Sequence, residues 1–307
     1  MTFWAITSYF NPASYRTRKA NYLAFRNRLN VPLVTVELSH GSAFELGQAD
    51  ADIMIHLREK TVLWQKERLL NVALKALPDS CTAVAWLDCD IVFSDDNWSG
   101  RALEALADRT WLQPFRDLVD LTRDSRLDNP ESFSREPARR SVVQMLESGE
   151  LPGDFFSMRG ASLKWKFTAG HAWVARREAL ASCGLYDGSI MGSGNKLMLA
   201  AAYGRQEEAA RAYGLNDAQR AHYLEWAGMF STRMGKPGWI DGRVFHLWHG
   251  DMEHRGYGNR HAEFQQFGFD PHRDIAKSAE GAWEWSSDKP EMHKFVEDYF
   301  LSRREDG

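Results

Sequence analysis

Residues 82–93, TAVAWLDCDIVF, constrain this chain more than any other segment. The first half is an almost unbroken apolar run, and it ends in two carboxylates, Asp88 and Asp90. A strand that is apolar on both sides must be covered on both sides, as a central parallel strand is. Before it come a short β-prone run (4–10), a basic helix (14–29), a second strand (31–38) and an amphipathic helix (61–77) with Leu63, Leu70, Leu74 and Leu77 near one face. Strand–helix–strand–helix–strand argues for an α/β sheet with right-handed crossovers.

The chain has 307 residues, 44% of them hydrophobic, enough for one large core. With 38 Lys+Arg against 42 Asp+Glu it is mildly acidic, which excludes a protein built chiefly to coat nucleic acid or an anionic membrane. No run of about 18 apolar residues exists, so no transmembrane segment is expected. The N-terminus is apolar first and basic second, the reverse of a secretory signal, and a cytoplasmic location is expected. Cys81, Cys89 and Cys183 form neither a metal pair nor a disulfide framework.

Residues 120–160 are charged, Pro-bearing and weakly periodic, and read as an insertion or lid. Strand character returns at 168–175 and 244–248, and helical character at 176–183, 217–229 and 290–304. The expected organisation is a nucleotide-binding half at 1–119, the insertion at 120–160, an acceptor and metal half at 161–255 and a C-terminal extension at 256–307.

Asp88 and Asp90 are the most informative pair. In extended backbone, residues two apart point to the same side, so both carboxylates are expected to converge at the carboxyl edge of the sheet. Open α/β sheets bind ligands at that edge. Two uncompensated carboxylates there repel each other, and a divalent cation removes the conflict. Mg²⁺ or Mn²⁺ held in this way would bridge the protein to a diphosphate.

With these residues in view, the chain resembles nucleotide-sugar glycosyltransferases of the GT-A fold, near the large family 2 type. Three pieces carry the resemblance: Ile6-Thr7-Ser8-Tyr9-Phe10-Asn11; Trp86-Leu87-Asp88-Cys89-Asp90; and Gly170-His171-Ala172-Trp173-Val174-Ala175-Arg176-Arg177-Glu178 with Gly184-Leu185-Tyr186-Asp187. The resemblance covers roughly residues 1–255. It implies a Rossmann-like, mixed but mainly parallel sheet flanked by helices, in a single large domain with a C-terminal helical extension. It implies that the first strand, with Thr7, Tyr9 and Asn11, lies over the nucleotide base. Asp88 would contact ribose or metal, and Asp90 would bind the metal directly. A late histidine would complete the metal site, and His246 and His249 in His246-Leu247-Trp248-His249-Gly250 both fit that place.

Lys66, at the head of the helix beside the nucleotide in that fold, is the expected base or phosphate contact, although it also reads as a solvated partner of Glu67. Arg16 or Arg18 could reach a phosphate from just after the Asn11-Pro12 turn. Gly170, His171, Trp173 and Trp248 are expected on the acceptor side, where indole faces stack on sugars. Where the family often carries a catalytic carboxylate this chain has Asn195, which cannot take a proton. Asp187, Asp241 or Asp251 would then serve as base, or the reaction would retain configuration and need none. A zinc site from His246, His249 and His254 is the competing metal reading, but the spacing matches no structural zinc pattern.

The expectation is thus a glycosyltransferase that uses Mn²⁺ or Mg²⁺ and a nucleotide-sugar, UDP-sugar by resemblance. Its acceptor would be a glycan, a small molecule or a modified nucleobase in nucleic acid. The alternatives are a non-catalytic sugar-nucleotide-binding relative and a nucleotidyltransferase. The latter lacks support because Phe10-Asn11-Pro12-Ala13, not a glycine-rich basic loop, follows the first strand.

Overall fold

The computed structural model describes residues 2–41, 43–125, 127–128, 134–159, 166–251, 254 and 259–307. Its centre is a seven-stranded sheet built on the apolar run. Strands β1 (Thr2–Phe10), β2 (Leu33–Ser39), β3 (Ile53–Arg58) and β4 (Cys81–Leu87) lie parallel in the order β3-β2-β1-β4. Helix α1 (Arg16–Arg28) connects the first two, and α2 (Lys66–Lys75) leads into β4. After β4 come β5 (Ile91–Phe93), α3 (Trp98–Ala105), β6 (Trp111–Gln113), β7 (Asp117–Leu121), β8 (Ser134–Ser141), α4 (Val142–Glu147), β9 (Phe167–Thr168) and β10 (Ala172–Arg176). Strand β10 runs antiparallel between β4 and β6, so the sheet is mixed but mainly parallel. Helices α5 (Arg177–Cys183), α6 (Gly194–Ala202), α7 (Gln206–Tyr213) and α8 (Asp217–Met234) follow. Then come β11 (Gly238–Trp239), β12 (Arg243–His246), α9 (Arg260–Phe264), β13 (Ile275–Lys277), β14 (Trp283–Trp285) and α10 (Pro290–Ser302). Among these described helices none is long and apolar enough to cross a membrane.

Alternation along β4 separates two cores. Val84 and Trp86 face a large cluster with Leu69, Leu70 and Leu74 of α2, while Ala83, Ala85 and Leu87 face Phe25 of α1 and Trp98 and Ala102 of α3. Trp86, Trp111 and Trp173 stack on one another, the last two 4.7 Å apart, with Phe230 edge-on to Trp111. Trp173, expected at an acceptor, is therefore a core residue, 1% exposed.

A second, five-stranded sheet runs β5-β12-β7-β8-β9. The segment expected as a lid supplies part of it. Residues 134–147 form β8 and α4, and Val142, Val143 and Met145 are buried in the main core, so this stretch is structural. Positions 126, 129–133 and 160 of that segment lie outside the described residues. The C-terminal extension is also built into the body. Gln65 exchanges hydrogen bonds with Trp283, and Phe300 packs against Phe10 and Trp64.

Candidate active site

The chain builds β1, β2 and β3 outward on one side, then crosses to place β4 on the other side of β1. The crevice beyond the carboxyl ends of β1 and β4 is thus a switch point of the sheet, where ligands settle in open α/β folds. A cavity of about 280 Å³ opens there. Ser8 and Phe10 line it from β1, and Asp88, Cys89 and Asp90 from the turn after β4.

The two carboxylates take different partners, contrary to the extended geometry expected of them. Strand β4 ends at Leu87, and Cys89 and Asp90 enter a turn. Asp88 pairs with Lys66. Asp90 turns to the second sheet, where register does the assembly: His246 pairs with Ile91 on one side and Asp120 on the other. The Leu247 N–H donates to the Asp90 carbonyl (2.8 Å) and pins the following loop. His249 Nε2 lies 3.1 Å from Asp90 Oδ2 and 3.0 Å from His246 Nε2.

Asp90, His246 and His249 present three ligand atoms within 4.8 Å of one another. Asp90 Oδ1 is buried and has no hydrogen-bond partner among the described residues. Burial alone would raise the Asp90 pKa, but His249, then His246 and His171, hold it well below the usual carboxylate range. His246 Nδ1–H donates to Asp120 Oδ1 (2.7 Å), which leaves Nε2 as a lone pair aimed at the cluster. Asp120 in turn accepts from Arg139 at 2.6 and 2.8 Å. Behind the other histidine, Glu305 lies 3.8 Å from His249 Nδ1 and forms a bidentate pair with Arg18 at 2.6 and 2.9 Å. An ionised carboxylate, two oriented imidazoles and an orphaned oxygen fit a divalent cation. Asp88 and His254 are not members of the cluster.

His171 sits beside it, ring edge to His246 at 4.7 Å. Its φ of +78° is unusual for a residue with a Cβ, and its carbonyl accepts the Asp88 N–H (2.7 Å). Burial, then His246, lowers its pKa well below the ordinary value.

Gly250 shows why the tail reaches the site. Its φ is +84°, and an added Cβ would stand 2.7 Å from the Arg304 carbonyl oxygen and 3.0 Å from Glu305 Cα. Gly250→Ala is expected to cost about 1–3 kcal/mol, read by chemical denaturation. It should also weaken Mn²⁺ binding severalfold by moving Glu305 off His249; unchanged metal affinity would show that the tail does not support the histidine.

Other expected site residues lie elsewhere. Thr7 hydrogen-bonds the Leu87 carbonyl (2.7 Å), Tyr9 donates to Glu45 (2.5 Å) and Asn11 donates to Tyr15 and Glu45 (both 2.9 Å). Strand parity puts Ser8 and Phe10 on the cavity side in their place. Arg16 has a side chain 94% exposed and pairs with Asp306, whereas Arg18, two residues on, lines the cavity. Trp248 lies under Arg123 outside the cavity, and the lining indole is Trp64. Asp187 is held by Arg68 and Asn71 (both 3.1 Å), and Asp241 is exposed beside Arg116. Gly170, His171, Asn195 and Lys66 do line the cavity. Asp120, Arg139, Glu305 and Lys196 carry no local sequence signal, since Asp120 meets His246 and Arg139, Glu305 meets Arg18 and Lys196 meets Phe155 only through the fold; Arg303 pairs with nearby Glu305 but reaches the cavity because the tail folds back.

No protein-family model matches the chain, and no curated protein matches it. Solved structures similar to it include a mannosyltransferase from Pyrobaculum calidifontis in complex with GDP-Man and Mn²⁺, 15% identical, with 97% of this chain and 68% of that one covered at a TM-score of 0.39. A glucosyl-3-phosphoglycerate synthase from Mycobacterium tuberculosis, with Mn²⁺, UDP and phosphoglyceric acid, is 13% identical over 74% and 78% at 0.36. A 4-diphosphocytidyl-2C-methyl-D-erythritol synthase from Anaerococcus prevotii is 10% identical over 78% and 87% at 0.35.

Proposed function

We propose that this chain is a metal-dependent glycosyltransferase that moves a sugar from a nucleotide-sugar to an acceptor hydroxyl. The observation that carries the reading is the Asp90–His246–His249 cluster at the switch point of the sheet, facing a cavity edged with cations. A divalent cation bound there would supply Lewis-acid stabilisation of the charge that builds on a departing diphosphate. Two nitrogen donors favour Mn²⁺ over Mg²⁺, which prefers an all-oxygen shell.

The chain's own residues supply the rest. Lys66 and Arg303 add positive charge at the cavity wall. Asp88, held by Lys66, offers a carboxylate to a ribose hydroxyl. Phe10 and Trp64, edge to face at 6.1 Å, offer apolar surface to a base or sugar. Asp88 and Asp90 are the carboxylates that line the cavity among the described residues, and none of these offers a further acid as a base. That favours transfer with retained configuration. The anomeric carbon's bond to the diphosphate breaks, its bond to the acceptor oxygen forms, and the hydroxyl proton passes to the departing diphosphate oxygen.

Slow release of UDP or GDP from UDP-glucose, UDP-galactose or GDP-mannose is the expected result, dependent on Mn²⁺ and stopped by EDTA. Nucleotide binding without turnover across that panel would favour a non-catalytic binding relative. Pyrophosphate release from a nucleoside triphosphate and a sugar phosphate would favour a nucleotidyltransferase.

A further inference from the structure

One flank of the cavity carries positive charge apart from the Asp90–His246–His249 cluster. Ser193, Asn195 and Lys196, at the N-cap and first turn of α6, line it. Lys196 is 8% exposed. Its ammonium donates to the carbonyls of Phe155 (3.2 Å) and Met158 and lies 4.8 Å from the centre of the Phe155 ring. Among the described residues no carboxylate forms an ion pair with it, and burial draws its pKa down to about 8. Two carbonyls return only part of the cost of burying a charge.

The surroundings reinforce the sign. Arg260, 6% exposed, lines the same flank, and its guanidinium packs against Gly192. Burial, then Arg260 and Arg159, lowers the His261 pKa to about 3, and this neutral ring bonds the Ser193 hydroxyl at 2.8 Å. The first turn of α6 holds no acidic residue. The carboxylate packed against Gly194, Glu67, accepts from Trp64 Nε1 (2.8 Å) and does not line the cavity. Asn195 joins this flank to the cluster, because its Nδ2 lies beside Gly170, whose neighbour His171 touches His246.

We infer that this flank is a second anion subsite, in which Lys196, with Asn195 and Ser193, binds a phosphate or carboxylate group of the acceptor. The word acceptor rests on the glycosyltransferase reading. A neutral acceptor would leave the buried ammonium without a counter-charge; an anionic one supplies it and is oriented by it.

Calorimetry on the full chain, saturated with UDP and Mn²⁺ and titrated with glycerol 3-phosphate or glycerol, tests the inference. The phosphate monoester should bind and glycerol should not. Lys196→Met should weaken phosphate binding roughly tenfold or more, and Lys196→Arg should restore most of it. Equal binding to wild type and a folded Lys196→Met variant would overturn the subsite. If that variant does not fold, competition decides: phosphate binding that disappears at saturating UDP belongs to the diphosphate position and overturns the inference. A preference for UDP-glucuronate over UDP-glucose that Lys196→Met removes would put the anion on the donor sugar, and so overturn the acceptor assignment. Failure of UDP and Mn²⁺ to bind sinks the transferase reading and with it the acceptor. Phosphate binding to the free chain with the same Lys196 dependence would still uphold an anion site.

Discussion

Asp90→Asn is expected to abolish Mn²⁺ binding in calorimetric titration, and with it the Mn²⁺-dependent part of any UDP-induced rise in melting temperature. Asparagine preserves the shape of the side chain and removes its charge. The two imidazoles beside it then lose the anion that makes their convergence favourable, since Asp90 Oδ2 lies 3.1 Å from His249 Nε2 and Asp90 Oδ1, with no hydrogen-bond partner among the described residues, lies 3.9 Å from His246 Nε2. Removing one member of a buried charged set costs about 3–5 kcal/mol, more than a hundredfold in affinity. Retention of Mn²⁺ affinity within tenfold would show that the cation, if any, sits elsewhere, and the transferase reading would lose its support.

Asp120→Asn should lower Mn²⁺ affinity by about 10–100-fold. Asp120 would not touch the cation; it positions His246. Burial would raise its pKa, but the hydrogen bond and charge of His246, with Arg139, hold it far below the usual range, so it accepts from both. An asparagine oxygen at the Oδ1 position would still accept from His246 and Arg139 Nη2, but its NH₂ would then face the Arg139 Nε–H donor, and the flip that relieves this clash takes the acceptor away from His246. Without the acceptor, the imidazole is free to carry its proton on Nε2, where a ligand lone pair is needed. A purely structural role would lower the melting temperature and leave the metal affinity of the folded protein intact. The expected pattern is the reverse.

Much of this site could be read before the fold was known, and the misses share a cause. The β4 run and Asp90 stand out because burial and charge alternate within a few adjacent residues. His246 and His249 stand out because their spacing follows a short strand. On β1, Ser8 and Phe10 line the cavity where Thr7 and Tyr9 are the expected contacts, because a strand's period of two does not say which parity faces the ligand. Of the two candidates Arg16 and Arg18, the structure places Arg18 at the cavity and Arg16 in solvent, because the face of a helix is set by what the helix packs against. Trp173 and Trp248 both sit inside motifs, yet Trp173 packs into the core at 1% exposure and Trp248, partly exposed, lies under Arg123 outside the cavity.

The order of strands and helices, the acidic tip of a doubly covered strand and the late histidine pair follow from the amino-acid order alone, because each depends on neighbours in the chain. The tertiary structure decided which atoms meet. Asp120 reaches His246 only through a parallel register between strands more than a hundred positions apart, and Glu305 reaches Arg18 and His249 only because the tail folds back over Gly250. Such pairings depend on distance in space, which the order of residues does not state locally.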